Sequence, residues 1–204
     1  MNEALKNVSD FRDVLRHRRS IRHFSDQPVA HSLIEEVVGC AATSPSGANK
    51  QPWRFVCVKD PEIKKKIRMA AEVEEREFYE SRATDQWKDD LAPLGTDADK
   101  SFLEVAPWLV VVFKLVKGDD GGSVYYADES VGIATGMLLA AAQVAGLATL
   151  THTPSPMKFL EEVLDRPPNE RAYMLIPMGW PAIYGHVPVA ALRKKPLTEV
   201  MVKL

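Results

Sequence analysis

Residues 131–150 carry no charged side chain. A run of that length has two homes, a bilayer or the interior of a protein. Three features argue for the interior. Asp128 and Glu129 stand where basic membrane anchors would be expected. Small residues (Gly132, Ala134, Gly136, Ala140, Ala141, Ala142, Ala145) dilute the hydrophobicity, and Gly146 reads as a C-terminal stop. A helix that is apolar all round has to be covered on all sides, and in a small protein that predicts a subunit interface. The run is therefore expected to be the central helix of a dimer core.

The rest of the chain can build such a core. Its 204 residues suit one domain that buries roughly 70% of its unfolded surface. A net charge of −2 excludes nonspecific nucleic-acid binding, which needs a basic excess. Cys40 and Cys57 show no metal or redox spacing and read as plain buried thiols of a reducing compartment. The start, Met1 to Lys6, lacks the apolar core of a signal peptide.

Periodicity and turn residues predict the elements. A short helix covers 10–16, capped by Ser9 or Asp10, with Phe11, Val14 and Leu15 on its apolar side. Ser32 and Glu35 form a capping box for a helix reaching Ala42, with Leu33, Ile34, Val37, Val38 and Ala41 inward. A strand over 54–59 alternates Phe55 and Cys57 against Val56 and Val58. Asp60-Pro61-Glu62 opens a helix whose buried stripe is Ile63, Ile67, Ala70 and Ala71. Residues 87–96 are polar, contain Pro93 and Gly95, and read as a surface loop of the kind that forms lids. The valine-rich run 108–116 is a strand buried on both faces. Short strands at 148–151 and 173–179, a helix capped by Ser155-Pro156, and a strand-like C-terminal arm over 185–204 complete the chain. Strands separated by helices place it in the α+β or α/β layer class.

Two side-chain sets stand out chemically. Arg18, Arg19 and Arg22, with the Ser20 hydroxyl, can fork around a phosphate or make an ordinary basic surface turn. Glu75 and Tyr79 share one helix face, and Lys100 can return over it. Together they can hold the two charged ends of an amino acid, or be a solvated helix surface. No Gly-x-Gly-x-x-Gly, no Gly-x-x-x-x-Gly-Lys-Ser/Thr and no His-Glu-x-x-His occurs, and the five histidines lack ligand spacing, so no metal is expected.

Arg18-Arg19-Ser20-Ile21-Arg22, Ser44-Pro45-Ser46-Gly47-Ala48-Asn49 with Gln51-Pro52-Trp53, Thr151-His152-Thr153-Pro154 and Gly179-Trp180-Pro181 resemble the FMN-dependent nitroreductase superfamily. Glu75, Tyr79 and Lys100, in the contexts Glu-Arg-Glu-Phe-Tyr and Leu94-Gly95-Thr96, resemble its iodotyrosine deiodinase branch, and the similarity runs over nearly the whole chain.

That resemblance implies an α+β, three-layer α/β/α fold, one FMN-binding domain over 1–204, and an intertwined homodimer with an exchanged C-terminal arm. It places Arg18, Arg19, Ser20, Arg22 and Arg193 on the flavin phosphate and ring edge. Pro45, Ser46 and Gly47 form a loop facing the flavin held chiefly by the other subunit. Thr151 and Thr153 lie beside flavin N5, where the Thr153 hydroxyl would donate and favour one-electron steps. The Ala48 N–H would contact the substrate phenolate. Glu75, Tyr79 and Lys100 would take its ammonium and carboxylate.

The implied reaction is reductive dehalogenation of 3-iodotyrosine or 3,5-diiodotyrosine to tyrosine and iodide. The rivals are a broad nitro or quinone reductase, which would not need the zwitterion contacts, and a non-catalytic flavin or aromatic amino-acid binding module. Electrons would come from an unidentified reductase or a nicotinamide donor. The N-terminal membrane anchor of the animal members is not expected here, the chain reading as either naturally anchor-free or trimmed. A cytoplasmic location with no membrane contact is expected.

Overall fold

The computed structural model describes residues 2–204. Its centre is the strand Trp108–Leu115 (β2), buried along its length except at Lys114. Strand side chains alternate between faces, so this one strand feeds two cores. Trp108, Val110 and Val112 enter one; Leu109, Val111 and Phe113 enter the other. Burying each of these side chains contributes roughly 1.5–3 kcal/mol. The two-faced burial expected of the valine run is thereby observed.

Among the described residues the sheet has four strands, ordered β1 (Trp53–Val58), β2, β4 (Glu170–Gly179), β3 (Ala148–Thr149). Each neighbouring pair is antiparallel. Helices α2 (His31–Ala42) and α6 (Ala127–Val144) pack on the Trp108 side. Helices α3 (Pro61–Glu77), α5 (Phe102–Val105) and α7 (Lys158–Val163) pack on the Phe113 side. The result is the three-layer α+β fold. Beyond β3, Ser20 bridges in parallel to Thr149, and the Ile21 N–H donates to the Thr149 carbonyl at 3.0 Å. The arginine segment is thus laid along the sheet edge.

Several boundaries differ from expectation, each for a local reason. Helix α1 (Glu3–Arg16) starts well before Ser9, because the Asn2 side chain caps it by accepting from the Ala4 N–H. In α2, Ser32 caps nothing. Trp108 Nε1 donates to the Val29 carbonyl at 3.0 Å. That anchor makes Ala30 the last extended residue, so the helix starts at His31. At α3 the reading holds: Asp60 accepts from the Ile63 N–H with Pro61 in the first turn.

Residues 87–96 are not a loop. Thr84 caps α4 (Asp85–Leu91) by accepting from the Trp87 N–H. A 3-10 turn, Ala92–Leu94, follows and ends at Gly95 with φ 60°. Ser155-Pro156 precede α7 without capping it. The C-terminal arm is not a strand but a 3-10 turn, Val189–Leu192, and a short helix, α8 (Leu197–Val200). Pro188 and Pro196, which precede them, have no N–H to give a ladder.

The charge-free run divides. Helix α6 stops at Val144, Gly146 turns the chain with φ 78°, and β3 begins two residues later. Ile133 and Val144 remain exposed at 48% and 64%, so within one chain the helix is not covered all round. Cys40, expected to be buried, is exposed on α2, while Cys57 is partly buried. No helix among the described residues is long and apolar enough to cross a membrane.

Candidate functional site

Helix α3 passes Glu75 and runs into one π turn, Phe78–Arg82. Glu75 and Tyr79 therefore leave the helix end on the same side and face a cavity of about 490 Å³. Arg22, Trp87, Lys100, Thr151, His152 and Thr153 line it with them. The sheet edge supplies the threonines, α4 supplies Trp87, and the start of α5 brings in Lys100.

The charged wall is paired with itself. Lys100 is buried, and its Nζ lies 3.3 Å from Glu75 Oε2 while also donating to the Asp97 carbonyl. The Lys100 N–H donates to Glu72 Oε1 at 3.1 Å, which fixes the backbone. The Tyr79 hydroxyl donates to Thr96 Oγ1 at 2.9 Å, and burial, with Glu75 and Asp97, pushes its pKa up. The other Glu75 oxygen, Oε1, faces His152 Nε2 at 3.9 Å. Burial pulls the His152 pKa down to about 3, with Lys100 and Arg22 acting the same way. A zwitterion entering here can replace the internal ion pair with two of its own, ammonium to Glu75 and carboxylate to Lys100. In a partly desolvated site such exchanges are worth more than on a surface.

The arginine segment shows the opposite condition. Burial, reinforced by Arg19, holds the Arg18 guanidinium below its ordinary value, and burial does the same to Arg22. Among the described residues neither reaches a carboxylate within ion-pair distance. Arg19 Nη1 donates to the Arg16 and Arg18 carbonyls. Half-buried guanidinium groups with no carboxylate in contact, although Glu75 and Asp97 act on Arg22 from farther off, and with the exposed Thr151 and Thr153 in the same cavity wall as Arg22, fit a ligand carrying a phosphate and a polar ring edge. That is the donor set FMN needs.

Other expected residues do not join this cavity within one chain. Pro45, Ser46, Gly47 and Ala48 sit near the start of α6, where the Gly47 N–H donates to Ser130 Oγ at 3.3 Å. A Cβ on Gly47 would lie 2.7 Å from the Tyr125 carbonyl oxygen, so only glycine fits. Ala48, Asn49 and Gln51 hold φ of 50°, 52° and 47°, a left-handed cluster that costs about 1–3 kcal/mol per residue. The Ala48 N–H has no partner among the described residues. Arg193 is exposed at the end of the Val189–Leu192 turn.

His152 was missed. Scattered spacing excluded a metal role, whereas its place between Thr151 and Thr153 was the usable signal. Met157 also lines the cavity and carried no sequence signal, and Phe78, quoted only as context for Glu75 and Tyr79, lines it too.

The profile of the nitroreductase family matches residues 15–180. An iodotyrosine deiodinase of Haliscomenobacter hydrossis is 50% identical over 98% of this chain and 91% of its own length. Iodotyrosine deiodinase 1 of Homo sapiens is 42% identical over 98% of this chain and 70% of its own. The crystal structure of an oxidized iodotyrosine deiodinase bound to FMN and 3-iodo-L-tyrosine superposes with a TM-score of 0.79 at 31% identity. That alignment covers 95% of this chain and 97% of the other.

Proposed function

This chain belongs to the nitroreductase family, and on that premise we propose that it is an FMN-dependent oxidoreductase that removes halogen from halotyrosines. Its products from 3-iodotyrosine or 3,5-diiodotyrosine are tyrosine and iodide. The observation that carries this reading is the convergence of Glu75, Tyr79 and Lys100 in the cavity that also holds Arg22, Thr151 and Thr153. A broad reductase of flat aromatics has no use for a buried carboxylate and ammonium placed for a zwitterion.

Bound there in its reduced form, FMN would supply the two electrons needed for the carbon–iodine bond to break, with iodide leaving and the ring carbon gaining a proton. The chain's own residues bind, orient and dry the site. Arg18, Arg19, Ser20, Arg22 and Arg193 hold the phosphate and ring edge. Thr151 and Thr153 would lie beside flavin N5, with the Thr153 hydroxyl as its donor. Glu75 takes the ammonium, Lys100 the carboxylate, and Tyr79 closes the same end. The free Ala48 N–H takes the phenolate. Trp87, whose ring lies 4.9 Å from that of Phe78, caps the opening and excludes water as α4 settles.

In this reading residues 1–204 are one domain working as a homodimer. Pro45, Ser46, Gly47 and Ala48 then reach the flavin of the other subunit, and the C-terminal arm exchanges. The uncovered apolar face of Leu5, Val8, Phe11, Ile133 and Val144 supports that assembly. An unidentified reductase or a nicotinamide donor reduces the enzyme in the cytoplasm. The deciding experiment is iodide release from diiodotyrosine, with dithionite as reductant, against release from 2-iodophenol. Strong preference for diiodotyrosine is expected; equal rates would return the chain to the nitro and quinone reductases.

A further inference from the structure

His152 Nε2 is buried and has no hydrogen-bond partner. An unmet buried polar atom of this kind costs about 1–3 kcal/mol, so its retention calls for a use. Its ring is held by the edge-on contact with Phe102, 6.1 Å between centroids, and by the backbone bridge to Leu175. Nε2 points at Glu75 Oε1 from 3.9 Å, about one ångström beyond a hydrogen bond. The two oxygens of this carboxylate therefore have separate neighbours, Lys100 at Oε2 and His152 at Oε1.

We propose that His152 is the positioning residue of Glu75, donating Nε2–H to Oε1 when an amino-acid ligand draws Lys100 away. This rests on the zwitterion reading above. Without ligand, Lys100 holds Glu75. With ligand, Lys100 turns to the α-carboxylate and Glu75 must face the α-ammonium while keeping its other lone pairs satisfied. His152 is the donor in reach. Burial, Lys100 and Arg22 keep the imidazole neutral, so it orients the carboxylate without competing with the ammonium for its charge. Among the described residues Glu75 is the one carboxylate near Nε2, and Lys100 and Arg22 are the cations that face the ring.

The test uses FMN-loaded wild type, His152→Phe and His152→Gln in the oxidised state, with affinities for 3-iodotyrosine and 2-iodophenol read from flavin fluorescence. The wild type should favour 3-iodotyrosine. His152→Phe should lower that preference about tenfold, the loss of one hydrogen bond to a charged group. His152→Gln, whose amide can still donate, should recover most of it. A preference unchanged in His152→Phe, or lost equally in both variants, overturns the positioning role. A wild type with no preference sinks the zwitterion reading itself, which separates the two failures. FMN retention in both variants shows that the fold has survived.

Discussion

Lys64 and Lys100 are buried to nearly the same degree, 7% and 5% exposed, beside the same two helices, α3 and α5. Lys64 donates to the Glu104 and Ala106 carbonyls, both at 2.8 Å. Burial still pulls its pKa down, against the pull of Glu104. Lys100 has one backbone carbonyl, that of Asp97, and one carboxylate, that of Glu75. Backbone carbonyls cannot leave, so Lys64 staples α3 to the end of α5. A carboxylate on a side chain can be offered to a ligand, so in the function proposed above the same kind of cation is a binding group at the other end of α3. What separates a structural lysine from a binding one here is the mobility of its partner, not its burial.

That contrast can be broken at either lysine. The largest expected effect is on stability at Lys64→Met, which leaves two carbonyls without their donor and should cost about 3 kcal/mol. Urea unfolding would show a lower midpoint at constant slope, with the preference for iodotyrosine intact; an altered preference would mean that Lys64 also serves the site. Arg18→Ala comes next. Removing a phosphate contact should weaken FMN retention by roughly 10- to 150-fold, about 1.5–3 kcal/mol. Retention equal to wild type in dialysis would take Arg18 out of the phosphate site.

Glu75→Gln and Lys100→Met should each lower kcat/KM for iodotyrosine at least about tenfold, or about 1.4 kcal/mol, with much smaller changes for 2-iodophenol. Unfolding midpoints should fall less than in Lys64→Met, since the group left unpaired borders the cavity and at most one backbone carbonyl, that of Asp97, loses its donor. A Lys100→Met variant as unstable as Lys64→Met would erase the distinction between the two lysines.

The smallest effect is in pH. His152 titrates near its ordinary value of 6.5 when unfolded but at about 3 when folded. Between those values only the unfolded chain binds the proton, so stability falls as pH drops through the window. The slope approaches about 1.4 kcal/mol per pH unit, and at pH 5.5 the loss is about 1.4 kcal/mol. His152→Gln should remove that part of the slope, and the same slope in the variant would show that the folded imidazole titrates freely.

Much of the fold was legible because its signals are local. The two-faced burial of β2 follows from an uninterrupted apolar run, and the start of α3 follows from Asp60 and Pro61. Where expectation failed, a distant contact or a competing local cap decided. Ser32 lost the α2 cap because Trp108 pins Val29 from the neighbouring strand. The supposed loop at 87–96 is helical because Thr84, outside the stretch, caps it.

The sequence by itself determined that strands and helices alternate in layers, that three arginines crowd into residues 18–22, and that Glu75 and Tyr79 share a face, since each depends on residues close in the chain. It also carried, through family resemblance, the link from those residues to Lys100. Only the tertiary structure decided that Lys100 is buried against Glu75, that Arg18 and Arg22 are half-buried with no carboxylate in contact, and that His152 turns a bare Nε2 toward the same carboxylate. Burial and pairing are properties of what lies opposite a side chain. What lies opposite is set by the packing of α3, α5 and the sheet edge, which no local pattern records.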